Sequence, residues 1–114
     1  MIRMKVIYIA GKYFGETSHE IFTNIQIARA EAEFVWACGG IALCPHLNTS
    51  WMNGICPEEN FLSGYLQLLT LCDAVYTCWN WHISTGATAE VEKAKELGIP
   101  VLHNRSQVME FLVS

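Results

Sequence analysis

Apolar residues along this chain follow two patterns that alternate from one end to the other. Short, mainly apolar runs that we interpret as strands lie at 5–10, 41–44, 73–78 and 100–103. The first is a continuous apolar run, as expected for a strand buried on both faces of a sheet. Longer stretches with helical spacing separate them. The first of these is marked by apolar side chains at Ile21, Ile25, Ala28, Ala32 and Val35.

Capping and stop signals bound each predicted helix. A capping box at Thr17-Ser-His-Glu20 begins the first helix, and Gly39-Gly40 ends it. Pro57 begins a second helix, which we expect to reach Leu71. The remaining signals are Ser84 or Thr85 as the cap of a third helix, Gly98 as its end, and Ser106 as the cap of a short final helix.

This alternation predicts one α/β domain over residues 1–114. We expect a three-layer sandwich with a small parallel sheet of about four strands, flavodoxin-like or Rossmann-like in kind. In such sheets the ligand binds beyond the carboxyl ends of the strands. That rule selects the segments 11–17, 46–56, 79–86 and 103–106 as the site.

Composition narrows the partners. The 114 residues carry a formal net charge of −4 and no basic stripe, which argues against a nucleic-acid polymer. No apolar run has the length of a membrane span and no signal peptide opens the chain, so we expect no membrane contact. The five cysteines are odd in number and form no C-x-x-C pair, which favours the reducing cytoplasm.

Glu90 is the candidate catalytic residue. On a helical projection Ala87, Val91, Ala94 and Leu97 mark one apolar arc, and Glu90 falls inside it. A carboxylate on the inward side of a helix is costly unless it is paired or functional. The alternative is a glutamate at the helix edge that pairs with a lysine.

Two segments offer groups for an anion. Ser84-Thr85-Gly86 presents hydroxyls and free amides at a helix start, which suits a phosphate, although an ordinary helix cap looks similar. The loop at Gly11, Lys12 and Tyr13 brings backbone amides and one cation. It is neither a P-loop nor a G-x-G-x-x-G fingerprint.

Aromatic and imidazole side chains occupy the same loops. Trp81, like Trp79 and Trp51, is placed to stack on a base or sugar, or alternatively to cover a sheet edge or an oligomer contact. His46 and His82 are candidate donors to a ligand. Their spacing gives no metal-site pattern, so we expect neither a metal nor a cofactor.

Four motifs together resemble a known family, the nucleoside 2-deoxyribosyltransferase-like superfamily. The resemblance is strongest to short bacterial and phage members of mostly unassigned activity, and it extends to deoxynucleoside 5′-monophosphate N-glycosidases. It covers about residues 5 to 103. The motifs are Ile7–Gly11, Cys44–His46, Cys72–Tyr76, and Trp81-x-x-Ser84-x-Gly86-Ala87-x-x-Glu90.

The resemblance implies a reaction and a ligand. Glu90 would be the nucleophile that attacks the anomeric carbon and expels the base, to be resolved by water or by another base. Ser84 and Gly86 would bind the 5′-phosphate of a nucleotide. Characterised members carry an aspartate where this chain has Tyr65, so Tyr65, His46 or a neighbouring subunit would have to substitute for it. Asp73 is expected to be structural.

Three functions follow as hypotheses. The first is an enzyme that cleaves or transfers the N-glycosidic bond of a (deoxy)nucleoside 5′-monophosphate. The second is a non-catalytic nucleotide-binding sensor or accessory module, which Tyr65 favours. The third is a purely structural or phage-encoded inhibitory protein. Because a domain this small leaves its site shallow, we also expect a homodimer or a larger homo-oligomer.

Overall fold

Four parallel strands form the centre of the computed structural model, which describes residues 3–114. Met1 and Ile2, which the predicted domain includes, lie outside the described residues. The strands are β1 (Val6–Ala10), β2 (Ile41–Leu43), β3 (Ala74–Thr77) and β4 (Val101–Leu102). The helices are α1 (Ser18–Ala37), α2 (Pro45–Asn48), α3 (Glu58–Leu69), α4 (Thr85–Leu97) and α5 (Arg105–Val113), with a 3₁₀ helix at Trp81–Ile83.

The sheet separates two apolar clusters, because successive residues of a strand point to opposite faces. Ile7 and Ile9 pack with residues of α1 and α5, whereas Tyr8 and Ala10 pack with residues of α3 and α4. Helices therefore cover both faces of an all-parallel sheet, and the predicted three-layer α/β fold is confirmed.

Strand order fixes where a ligand crevice forms. The order in the sheet is β2-β1-β3-β4, so the chain leaves β1 towards one edge and leaves β3 towards the other. The connection after β1 enters α1 on one face, and the connection after β3 enters α4 on the opposite face. The two connections diverge beyond the carboxyl ends of neighbouring strands, which is the switch point at which open α/β sheets bind ligands.

Several predicted boundaries are confirmed by hydrogen bonds. Thr17 Oγ1 accepts from the N–H of Glu20 at 3.1 Å and caps α1. Gly98 ends α4 in the left-handed conformation, with φ of 72°. Asp73 lies at the amino end of the sheet, where its carboxylate accepts from the N–H of Val6 at 2.7 Å. That contact fits the structural role expected for it.

Other details of the prediction are wrong. Asn104, not Ser106, caps α5, because its Oδ1 accepts from the N–H of Gln107 at 2.9 Å. The segment predicted as a loop from residue 46 begins with the helical turn α2. Leu97 is 47% exposed, since it stands at the last turn of α4, where the covered arc has run out.

Between residues 3 and 114, none of the helices has both the length and the apolar character that a membrane crossing requires.

Candidate functional site

An open cavity of about 570 Å³ lies at the switch point, between the connections that follow β1, β2 and β3. Every predicted site residue except Trp81 contributes to its wall. The predicted residues that line it are Gly11, Lys12, Tyr13, His46, Tyr65, Ser84, Gly86 and Glu90. The fold thus brings together four separate stretches of the sequence that were singled out on chemical grounds.

Glu90 reaches this cavity from the inward face of α4. The residue is only 8% exposed, and its carboxylate accepts a hydrogen bond from the phenol of Tyr8. Burial raises the pKa of Glu90 to about 7, against the opposing effect of the Tyr8 hydrogen bond. A carboxyl group with this pKa changes its charge near neutral pH, which suits a role in chemistry.

Tyr8 is one residue of the site that sequence reasoning missed. It lies in the middle of β1, is fully buried, and faces α4 because of the alternation of the strand. Burial, followed by the charge of Glu90, raises the pKa of its phenol, so Tyr8 stays a neutral donor. The sequence did contain a sign of this contact, namely a tyrosine within an apolar strand. A buried phenol needs a hydrogen-bond partner, so its position indicates a polar group nearby.

The start of α4 presents unpaired amides to the cavity. Ser84 Oγ accepts from the N–H of Ala87 at 3.1 Å, and the carbonyl of Ser84 accepts from the N–H of Thr88 at 2.9 Å. The N–H groups of Thr85 and Gly86 have no partner among residues 3–114. Such amides, at the positive end of the helix dipole, favour an anionic group.

Gly86 leaves room in front of these amides. A methyl group built on it would meet only Ser84 Oγ, at 3.9 Å. The absence of a side chain is therefore not required by packing inside the protein. It keeps the start of α4 open to whatever occupies the cavity.

Gly11 has the opposite reason to be glycine. A Cβ atom there would lie 2.8 Å from Cys78 Sγ and 2.9 Å from Cys78 Cβ, which is closer than side chains pack. The connection after β1 therefore passes directly against the end of β3. Lys12 follows at once and is half-buried at the cavity wall.

Tyr13 links two of the connections across the cavity. Its phenol accepts from the N–H of Trp51 at 2.9 Å and donates to Asn53 Oδ1 at 3.3 Å. Trp51 itself has a positive φ of 62°, an uncommon conformation for a large side chain. The hydrogen bond from its N–H is one contact that holds this turn.

His46, on α2, is a neutral side chain that holds backbone. The residue is 4% exposed, and its Nε2 donates to the carbonyl of Lys12 at 3.0 Å, which assigns the proton to Nε2. Burial lowers its pKa. Its Nδ1 is buried without a partner among the described residues.

Tyr65 forms part of a directed chain of hydrogen bonds. Asn48 Nδ2 donates to its phenol at 2.8 Å, and Thr49 Oγ1 donates to the carbonyl of Pro45 at 3.2 Å. Because the Thr49 proton goes to Pro45, the hydroxyl of Tyr65 is the donor in the remaining hydrogen bond, which joins it to Thr49 Oγ1 at 3.1 Å. The Tyr65 hydroxyl thus donates and accepts hydrogen bonds within the protein at the cavity wall.

Trp81 lies beside the cavity and not on its wall. It is half-buried in the 3₁₀ helix, packs with the α3 and α4 cluster, and has its ring 5.8 Å from that of His103. Aromatic surface on the wall comes instead from Tyr13, Phe14 and Phe61. The position of Trp81 therefore does not support the expectation that it stacks on a base.

Glu58 and Glu59 also line the cavity, at the first turn of α3. The sequence places them only in the helix that Pro57 begins. The signal that pointed to the site was their position directly after the 46–56 segment.

Comparison with known proteins gives a family match and a fold match. The family model described as Domain of unknown function (DUF7768) matches residues 5–104. No curated protein matches the chain. Among solved structures, the chain is similar to a 2-deoxyribosyltransferase from the psychrotolerant bacterium Bacillus psychrosaccharolyticus, described as a biocatalyst for nucleoside synthesis. The identity is 20% and the TM-score 0.63, over 86% of this chain and 70% of that one. At this identity the likeness shows a shared fold.

Proposed function

The chain belongs to the DUF7768 family, and we propose that it cleaves or transfers the N-glycosidic bond of a (deoxy)nucleoside 5′-monophosphate, with Glu90 as the nucleophile. One observation carries the proposal. A buried glutamate, held by the phenol of Tyr8, lines the same cavity as the unpaired amides at the start of α4. The 2-deoxyribosyltransferase fold supports it by likeness.

In the proposed reaction, a carboxylate oxygen of Glu90 bonds to the anomeric carbon while the bond from that carbon to the base nitrogen breaks. The base leaves with the electron pair and takes a proton from water. Water then attacks the glycosyl–Glu90 ester in the hydrolytic version, and a second base attacks it in the transfer version. In each version the attacking molecule gives up a proton to the hydroxide that the first step left. Either step restores the carboxylate.

The phosphate is assigned to the start of α4. Two free amides, the Ser84 hydroxyl and the open space at Gly86 suit an oxyanion. The cationic residue Lys12 lines the same cavity. These groups favour a nucleotide over a free nucleoside as the small-molecule partner.

A second function has its own support, namely nucleotide binding without turnover. Tyr65 offers no carboxylate, and its proton is used by Thr49. His46 uses its Nε2 proton on the Lys12 carbonyl. Neither Tyr65 nor His46 thus has a proton to give in place of the missing acid, and this favours a sensor or accessory module as the alternative.

We also propose that a second copy of the chain covers the cavity. Exposed apolar side chains at its rim, among them Phe14, Met52 and Ile83, would be covered in a homodimer or a larger assembly. Light scattering would show more than one chain per particle. A monomer at micromolar concentration would overturn this part.

The test of the enzyme is base release. Purified protein is incubated with dAMP, dGMP, dCMP and dTMP and with the matching nucleosides, and free base is measured by chromatography. We expect release from at least one nucleotide, a glycosyl adduct on the peptide that contains Glu90, and loss of both in Glu90→Ala. Glu92→Ala is the matched control, since Glu92 is exposed on the same helix.

The outcomes separate the two functions. Nucleotides that raise the melting temperature equally in wild type and Glu90→Ala, without base release at high enzyme concentration, would establish the sensor. Neither release nor stabilisation would overturn both.

A further inference from the structure

Two asparagine side chains hold the loop that carries Lys12 to the cavity. Asn80 follows β3 and is 2% exposed, and its Oδ1 accepts from the N–H of Lys12 at 3.2 Å. Its Nδ2 donates to Asn24 Oδ1 at 3.4 Å. Asn24, on α1, donates in turn to the carbonyls of Tyr13 and Phe14, both at 3.1 Å.

Both backbone polar groups of Lys12 are therefore bonded by side chains. Asn80 accepts a hydrogen bond from its N–H, and His46, on α2, donates to its carbonyl at 3.0 Å. The two partners come from the connections after β3 and β2, so they hold Lys12 between elements that are distant in sequence. The N–H belongs to the peptide unit before Lys12 and the carbonyl to the one after it, so the backbone is held on both sides of the residue.

Packing alone does not hold this loop. Lys12 lines the main cavity and also a smaller one of about 280 Å³, which is bordered by Asn24 and Asn80. At Lys12 the loop thus lies between two solvent-accessible spaces. Its geometry depends on directed hydrogen bonds, which the buried amide of Asn80 supplies.

We propose that Asn80 is a positioning residue, which fixes the Lys12 peptide so that this loop meets the anionic group of the ligand. Asn80 itself does not contact the ligand. The inference rests on the proposed function only in taking Lys12 as a ligand-binding residue, and the loop-fixing step is testable in the free protein.

The first experiment measures amide hydrogen exchange by NMR in the ligand-free protein. Asn80→Ala should accelerate exchange of the Lys12 amide about tenfold, because that amide loses its acceptor, while the Ile9 amide in β1 is unchanged. Asn80→Asp keeps an acceptor and should keep the protection. Asn104→Ala is the matched control, since it removes an asparagine that accepts a backbone N–H at the remote cap of α5.

The second experiment measures the affinity for the same four deoxynucleoside monophosphates and for inorganic phosphate by calorimetry. Asn80→Ala should weaken the tightest nucleotide about tenfold, and Asn104→Ala should leave it unchanged. In a Lys12→Ala background, Asn80→Ala should have no further effect on affinity, because the side chain through which the fixed backbone acts on the ligand is gone.

The outcomes are distinct. Unchanged exchange of the Lys12 amide in Asn80→Ala overturns the positioning role, whatever the protein binds. Multiplicative effects of Lys12→Ala and Asn80→Ala on affinity overturn it as well, since they show that Asn80 acts independently of the Lys12 side chain. Accelerated exchange with no nucleotide bound by wild type supports the fixing of Lys12 and overturns the proposed function.

Discussion

The phenol of Tyr8, on the central strand β1, donates its hydrogen bond to the carboxylate of Glu90 on α4, 82 positions further along the chain. The strand and the helix thus hold the proposed nucleophile between two layers of the fold. The same contact favours the ionised form of Glu90, whereas burial opposes it. Reactivity near neutral pH depends on the balance between these two effects.

Replacing Tyr8 with phenylalanine should therefore change the pH profile. Without the donor, the pKa of Glu90 rises above about 7, and base release at pH 7 falls by about tenfold because less carboxylate is present. The rates of wild type and Tyr8→Phe are compared from pH 5 to 9. An unchanged midpoint in Tyr8→Phe would show that the phenol does not tune Glu90.

The raised pKa of Glu90 also predicts a pH-dependent stability. The folded protein holds the Glu90 proton more tightly than the unfolded chain does. The contribution of this proton to the free energy of unfolding is therefore fully present below pH 4.5 and is lost as the pH rises to about 7. The displacement of the pKa from 4.5 to about 7 corresponds to about 3 kcal/mol. Urea unfolding of wild type and Glu90→Gln at pH 5 and pH 8 measures it.

The difference between those two proteins isolates Glu90. His46 has a lowered pKa, so its contribution is lost in the opposite direction, as the pH falls below about 6.5. That contribution is common to both proteins and cancels. Between pH 5 and pH 8, the free energy of unfolding of Glu90→Gln should increase relative to that of wild type. Equal pH dependence of the two proteins would contradict the raised pKa of Glu90.

Gly86→Ala should separate binding from folding. The added methyl meets only Ser84 Oγ at 3.9 Å, so the variant should fold, with a gain of up to about 1 kcal/mol from the helix. The methyl stands in front of the proposed phosphate site. We expect nucleotide affinity, measured by calorimetry, to fall about tenfold or more, and nucleoside affinity to change less.

Gly64→Ala is the control for this substitution. Gly64 is an exposed helical glycine of α3 with nothing within 4 Å of an added Cβ. The control should gain similar stability and bind nucleotides as wild type does. Equal nucleotide affinity of Gly86→Ala and Gly64→Ala would contradict the proposal that the phosphate binds at the start of α4.

Tyr65→Phe tests whether the phenol at position 65 is a catalytic acid. Because its proton is used by Thr49, the variant should lose about 1 kcal/mol of stability and keep both kcat and the alkaline limb of the pH profile. Chemical unfolding and steady-state kinetics measure the two quantities. A large loss of kcat at unchanged stability would make Tyr65 the missing acid.

Local pattern was sufficient for the sheet, the main helices and the inward position of Glu90. Strand runs and helical arcs are set by the periods of the backbone, which are visible in a single sequence. The position of the site followed from the alternation of strands and helices. Gly11 and Ser84 were recognised because turn and cap chemistry is local as well.

Partners chosen by tertiary structure were not visible in the same way. Tyr8 looked like one more apolar residue of a buried strand, since its acceptor lies on a distant helix. Asn80 looked like a loop residue, although it is buried against the Lys12 peptide. Trp81 was assigned to the ligand because it is an aromatic residue in the motif, but its ring lies beside that of His103 and not on the cavity wall.

The edges of the sheet are short. β2 has three residues and β4 has two, so each edge offers few free backbone groups for pairing with another strand. Copies of this chain are consequently ill suited to joining their sheets into one. The proposed assembly would therefore use side chains of helices and loops, and the exposed apolar rim of the cavity would put the proposed ligand and the neighbouring chain in contact with the same residues.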